Sequence, residues 1–255
     1  LNKYLLVLTA CVDPSAGTYK LAIADPKERL AEYRQSLRWW ICNGDPRLSR
    51  ILFIENSGWP LGPDFQQERS MATAHDRHLE FVSLNCNSYP ANGHYGYAEV
   101  KMIDFGLKAS RLRQCTDHIV KVTGRLQFPK LGKLLDRCQD DFDVVADGRG
   151  WRDLFHKHDK PYLSTQLILF SHRFYAAYLQ ESWKEMGTGH MEGLFYDKVL
   201  PFANQKKPRV SMRFPVNVEP VGIAAHSGKS YTTTRRLLAN AVRGVSRKVC
   251  PNLWL

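Results

Sequence analysis

Arg50-Ile51-Leu52-Phe53-Ile54-Glu55-Asn56-Ser57-Gly58 passes from an apolar run into a polar turn that ends on glycine. A short apolar run closed by turn residues reads as a buried strand. The residues on either side give it a context. Upstream, Asp25 is placed as a helix N-cap, Pro26 as the first helical residue and Glu28 as the acidic third position, a variant of the capping box. Leu30, Tyr33, Leu37, Trp40 and Ile41 then recur at helical spacing, and Asn43-Gly44 supplies the stop. Further back, Tyr4-Leu5-Leu6-Val7-Leu8-Thr9-Ala10 is a second apolar, strand-length run, followed by a loop with Asp13-Pro14 and Gly17. Downstream, a polar helix-like stretch leads to a third strand over residues 79–84. This β-α-β-α-β alternation predicts an α/β protein with a mostly parallel, doubly wound sheet.

The pattern continues. Residues 93–99 open a helix expected to run to about Arg113, and His118 to Arg125 reads as a strand with a polar end. A short helix over Lys130 to Cys138 precedes Asp143-Val144-Val145-Ala146-Asp147, a strand expected to break at Gly148-Arg149-Gly150 into a turn and polar loop. Leu163 to Phe170 is a further strand, Arg173 to Trp183 an amphipathic stretch and His190 to Phe202 a helix. Val210 to Val221 has strand character interrupted by Pro215 and Pro220, and Thr233 to Val249 is a basic amphipathic helix. No linker divides the chain, so residues 1–255 are expected to form a single domain whose nucleotide-fold front half spans about 1–150.

Hydrophobic residues at 44% and charged residues at 24% are the ordinary balance of a soluble globular protein. The net charge of +11 favours an anionic partner: nucleic acid, an anionic membrane surface or a phosphorylated substrate. Cys11, Cys42, Cys86, Cys115, Cys138 and Cys250 form no C-x-x-C pair, which favours buried free thiols over structural zinc. No apolar run reaches the roughly 18 residues of a spanning helix. The first strand is too short for a signal peptide and lacks its basic flank. The chain begins with Leu1, so an excised piece of a longer protein is expected.

Polar residues gather at the expected strand ends: Thr9-Ala10, Glu55-Asn56-Ser57, Lys121 with Thr123-Gly124-Arg125, and Asp143 with Asp147. A parallel sheet aligns such ends along one crevice. Carboxylates, hydroxyls and two cations there suit a sugar–nucleotide diphosphate with a bridging divalent cation, manganese or magnesium. Asp147 is preferred to Asp143 as the ligand because it stands at the carboxyl end. The plainer account is that strand ends are polar because loops are, and that Asp147 caps a turn. His190-Met191-Glu192 at a helix start is a candidate acid/base pair, with Glu192 favoured as a base by the helix dipole. Capping explains it as well, and the same holds for Glu99 and His94. The C-terminal helix, with Leu237, Leu238, Ala241, Val242 and Val245 between arginines, fits a solvated face or an anionic membrane surface, with Trp254 as an interfacial anchor.

Three look-alikes fail. Gly222 to Gly228-Lys229-Ser230 has one residue too many for a P-loop. Asp104-Phe105-Gly106 lacks the kinase catalytic loop before it. Gly93 and Gly96 lack the remaining glycine of a dinucleotide fingerprint.

Taken in order, Phe53-Ile54-Glu55-Asn56-Ser57-Gly58, Gly96-Tyr97-Ala98-Glu99, Lys121-Val122-Thr123-Gly124-Arg125 and the 143–147 strand resemble a group of bacterial glycosyltransferases of surface-polysaccharide (capsule and lipopolysaccharide) synthesis. The resemblance covers roughly residues 4–200. It implies a GT-A-like fold, a nucleotide-sugar donor and a glycan or lipid-linked acceptor, with the acceptor side at about 151–232. It places Glu55, Asn56, Ser57, Gly96, Glu99, Lys121, Thr123, Gly124 and Arg125 at the donor, where the strand ends also bring Thr9 and Ala10, and Asp147 near the metal-binding Asp-x-Asp. Glu192 would be the base, and Lys121 and Arg125 would stabilise the leaving group. A cytoplasmic enzyme is expected, peripheral at the inner face of the membrane through the basic C-terminal helix. His94-Tyr95 stand where that group has a lysine, Ala98 replaces a glycine, and Asp143 and Asp147 are too far apart for Asp-x-Asp, which leaves metal dependence open. A nucleotidyltransferase is the enzyme alternative. A basic nucleic-acid-binding module is the non-enzyme alternative, although no nucleic-acid-binding motif supports it.

Overall fold

A computed structural model describes residues 3–14, 21–153, 156–203, 209–224 and 227–249, with the side chains of 150–160 and of part of the last helix left aside. The elements are β1 (Tyr4–Ala10), α1 (Pro26–Asn43), β2 (Arg50–Glu55), α2 (Leu61–Asp64), α3 (Gln66–Ala74), β3 (His78–Ser83), α4 (Gly96–Ala109), β4 (His118–Thr123), α5 (Leu131–Leu135), β5 (Val144–Asp153), β6 (His156–Ser171), α6 (His172–Phe174), α7 (Met191–Ala203), β7 (Val210–Ser211) and α8 (Thr234–Val249). The strands form one seven-stranded sheet in the order β3-β2-β1-β4-β6-β5-β7. β3, β2, β1 and β4 are mutually parallel, and β6 runs antiparallel to both β4 and β5.

The front half follows its sequence signals. Asp25 caps α1 by accepting from the Lys27 and Glu28 amides, and the Gly44 N–H closes the other end on the Trp40 carbonyl. β1 is buried along its whole length, as a strand covered on both faces should be. Its alternate residues feed two cores. Tyr4, Leu6 and Leu8 pack with Tyr33, Leu37, Trp40 and Phe53 on the α1 side. Leu5 and Val7 pack with Val100, Ile103, Phe195 and Val199 on the α4/α7 side. β1 lies between β2 and β4; α1 leads from β1 to β2 over one face, and α4 leads from β3 to β4 over the other. This is the switch point at which an open α/β sheet leaves a crevice beyond its carboxyl ends.

The back half departs from expectation. β5 does not break at Gly148-Arg149-Gly150. It continues to Asp153 and pairs with β6, which begins well before Leu163, so Asp147 lies inside a strand. The register shifts around Val145, Arg149 and Trp151, and glycines inside a strand serve such irregular pairing as readily as a turn. The amphipathic stretch from Arg173 to Trp183 is irregular. It divides into α6, a π turn over Tyr175–Leu179 and a 3-10 turn over Ser182–Glu185, broken where Glu181 takes a φ of 60°. After Ser211 the strand at Val210 ends, and the prolines that follow offer no amide to a ladder. Cys42 and Cys115 are exposed rather than buried, and the described cysteines are free thiols. Cys250 and Trp254 lie outside the described residues.

Candidate active site

The switch-point crevice holds a pocket lined by residues that include Thr9, Ala10, Arg29, Tyr33, Asn56, Glu99, Thr123 and Arg125. Three of the four polar strand ends therefore converge. Asp143 does not join them. It lies at the amino end of β5, where it accepts from Ser171 and pairs with Arg173 at 2.9 Å.

Beneath the pocket, other expected site residues are engaged in holding its walls. Glu55 is fully buried. Its carboxylate accepts from the Val12, Ser57 and Trp59 amides at 3.0, 2.9 and 2.9 Å and from the Ser57 hydroxyl, tying the loop after β1 to the turn after β2. Ser57 Oγ in turn accepts from the Asp13 amide at 3.0 Å. Gly124 donates its amide to the Thr9 carbonyl at 2.8 Å, and a Cβ there would lie 2.7 Å from that oxygen, so only glycine lets β1 and the chain after β4 approach so closely. Gly96 opens α4 against Met191 of α7, where a Cβ would meet the Met191 Cβ at 3.0 Å.

That helix contact assembles a chain of polar groups. Glu99 Oε1 accepts from Thr9 Oγ1 at 2.9 Å and pairs with Lys121 Nζ at 2.6 Å. Lys121 is fully buried and also donates to the Thr165 carbonyl at 2.6 Å. Thr165 Oγ1 reaches Glu192 Oε1 at 3.2 Å. The rings of His94 and His190, one beside each helix start, lie 4.0 Å apart. Burial, followed by the neighbouring His190, pushes the His94 pKa down to about 4.

Sequence reasoning missed Arg29 and Tyr33 as pocket residues. Arg29 is buried and donates to the Cys11 carbonyl at 2.7 Å, the Ile23 carbonyl at 3.1 Å and the Tyr33 hydroxyl at 3.2 Å. Among the described residues no carboxylate pairs with it. Arg125 pairs with Glu32 at 3.0 Å, and the two guanidinium carbons lie 5.8 and 5.9 Å from the Tyr33 ring centroid. An arginine at the start of an amphipathic helix looks like surface charge in sequence. Only the fold turns it inward.

Asp147 lies outside this pocket. It is buried, and its carboxylate accepts from Arg149 Nε and Nη2 at 3.1 and 3.0 Å. The Glu219 carboxylate also acts on Arg149. A guanidinium already opposes the carboxylate that a divalent cation would need. Among the described residues no three His, Cys, Asp or Glu side chains gather as ligands. The donors around Asp147 therefore do not fit a divalent cation as they stand.

No protein-family model matches the sequence. No curated protein matches it. Among solved structures, the inositol-1-phosphate CTP transferase from T. maritima is similar over 94% of this chain and 95% of its own, with a TM-score of 0.51 and 11% identity. A putative glucose-1-phosphate thymidylyltransferase from Bacillus anthracis matches over 94% of both chains at TM-score 0.41 and 11% identity. The chain has the mostly parallel α/β architecture shared by nucleotidyltransferases and GT-A-like enzymes. No described helix is long and apolar enough to cross a membrane.

Proposed function

We propose that this chain is a nucleotide-dependent transferase acting on a sugar phosphate or similar phosphorylated polyol, by nucleotidyl transfer. The observation that carries the reading is Arg29, a buried guanidinium in the switch-point pocket with no carboxylate partner among the described residues. Such a charge favours an anionic ligand. The whole-length likeness to a CTP transferase supports a nucleoside triphosphate as that ligand. In this reading an oxygen of the acceptor phosphate attacks the α-phosphorus of the nucleotide. The bond to the β-phosphate oxygen breaks, and diphosphate leaves. Arg29 and Arg125 hold phosphate charge, Tyr33 orients both guanidinium groups, and the Glu99–Lys121 pair fixes the wall that faces them.

Glycosyl transfer is the second reading, favoured by the link from Glu192 through Thr165 and Lys121 to Glu99. Glu192 would then take the proton of an acceptor hydroxyl while the nucleotide diphosphate leaves the sugar, and Thr9, Ala10, Asn56 and Thr123 would contact the donor.

One experiment separates these. The protein is screened by thermal shift against CTP, UTP, GTP and TTP and against UDP- and GDP-sugars, with and without manganese. A ligand at a hundred times its dissociation constant stabilises by about 2.7 kcal/mol. Binders are then incubated with sugar 1-phosphates or glycans. Diphosphate release with a sugar 1-phosphate supports nucleotidyl transfer, and glycan growth supports the second reading. No shift with any nucleotide overturns both, and Arg29→Gln should abolish any shift that is seen.

A further inference from the structure

Helix α8 is attached to the body by its polar side. Asn240 is buried, its carbonyl accepts from Asn217 Nδ2 at 3.2 Å, and its side-chain oxygen accepts from Arg243 Nη1 at 3.0 Å. Arg243 points the same way, into the field of Arg149, Glu219 and Asp147. The apolar side is left outward. Leu238, Val242, Val245 and Val249 are 66%, 40%, 62% and 72% exposed. Their spacing of four, three and four residues keeps them on one stripe about 16 Å long. An amphipathic helix of a globular protein ordinarily buries such a stripe, and among the described residues this one is left open.

We propose that the stripe docks on an anionic lipid surface. Charge complementarity selects that occupant. The helix, Thr-Arg-Arg-Leu-Leu-Ala-Asn-Ala-Val-Arg-Gly-Val-Ser-Arg-Lys-Val, contains Arg235, Arg236, Arg243, Arg247 and Lys248 and no acidic residue. At about 100° per residue, the positions of Arg235 and Lys248 fall on opposite borders of the stripe, and those of Arg236, Arg243 and Arg247 on the side toward the body. Apolar residues bordered on both sides by cations are what a helix lying in the plane of a bilayer interface requires, because the stripe enters the acyl boundary while the cations stay at the headgroups. The chain as a whole carries +11, so it approaches such a surface without repulsion. The proposal does not depend on the reaction the pocket performs.

The test is co-sedimentation of the full chain with vesicles, one set of phosphatidylcholine alone and one doped with phosphatidylglycerol. The chain should pellet with the doped vesicles, weaken as salt is raised and bind the neutral ones poorly. Leu238→Glu with Val245→Glu changes only exposed positions. Far-UV circular dichroism should match the parent, while vesicle binding falls by at least about tenfold. Equal pelleting of parent and variant would overturn the proposal, as would no pelleting with doped vesicles. A parent that sediments as a dimer and a variant that sediments as a monomer would overturn it too, by identifying a second copy of the chain as the cover.

Discussion

Lys121 Nζ lies 2.6 Å from Glu99 Oε1, yet the two side chains differ in their access to water: Lys121 has none and Glu99 keeps 21%. The asymmetry sets what each substitution does. Glu99→Ala leaves an ammonium buried with only the Thr165 carbonyl and the Thr123 hydroxyl near it. Removing one partner of a buried pair costs about 3–5 kcal/mol. Lys121→Met removes the buried charge itself and leaves a carboxylate that reaches solvent and still accepts from Thr9. Urea unfolding should therefore show Glu99→Ala as the more destabilised variant. Equal losses would mean that the pair is not the connection holding α4 to β4.

Glu55 gives a different expectation. Its carboxylate is an acceptor for amides from both loops that border the pocket. Glu55→Gln preserves size but turns a donor-bearing amide toward N–H groups. Hydrogen bonds to charged groups are worth about 1.5–3 kcal/mol. A loss of about 2 kcal/mol should lower Tm by about 4–8 °C in a chain of this size. Nucleotide affinity should fall with it, since the turns after β1 and β2 would no longer be tied together. A variant with parental Tm would show that water can replace the carboxylate.

The histidines predict how stability responds to acid. Burial, then His190, lowers the pKa of His94 to about 4, and burial, then Arg113, lowers that of His172 to about 4. Burial also lowers that of His118. The unfolded chain holds these protons with pKa values near 6.5. Between pH 6.5 and 4 the unfolded state thus binds more protons than the folded one, so stability rises with pH across that window and is lost as pH falls through it. Urea midpoints should hold steady above about pH 6.5 and drop toward pH 4. His172→Gln, which can keep the contact with Thr116 Oγ1, should flatten the drop. An unchanged slope would assign the acid sensitivity to other groups.

What could be read in the sequence follows from how local each signal is. The α1 cap, the three leading strands and the convergence of Thr9, Asn56, Thr123 and Arg125 rest on apolar runs and turn residues a few positions apart. The sequence points to a turn after Asp147 because Gly148-Arg149-Gly150 carries the same local signal in a turn and in an irregular strand. The pairing with β6 that distinguishes them is not local. Lys121 and Glu55 read as ligand residues for a related reason. Both stand at strand ends, but Lys121 points into the core beneath α4 and Glu55 turns back on its own loops. Arg29 carries no local sign of its place in the pocket, because its inward direction is set by the β1–α1 loop carbonyls it binds.

Gly124 tests the geometry of the switch point itself. A Cβ there would stand 2.7 Å from the Thr9 carbonyl oxygen and 3.4 Å from the Tyr33 ring. The nearer atom is backbone in a fully buried strand and cannot swing aside. Gly124→Ala must therefore push the chain after β4 away from β1 and stretch the 2.8 Å bond from the Gly124 amide to Thr9. Overpacking of this kind costs about 1–3 kcal/mol. The displacement also carries Arg125 away from Tyr33 and Glu32, so nucleotide binding should weaken by more than the loss of stability alone would produce. Gly62→Ala, where a Cβ meets nothing within 4 Å, is the matched control and should leave both unchanged. If Gly124→Ala lowers Tm but nucleotide affinity measured well below the transition stays parental, Arg125 does not contact the ligand.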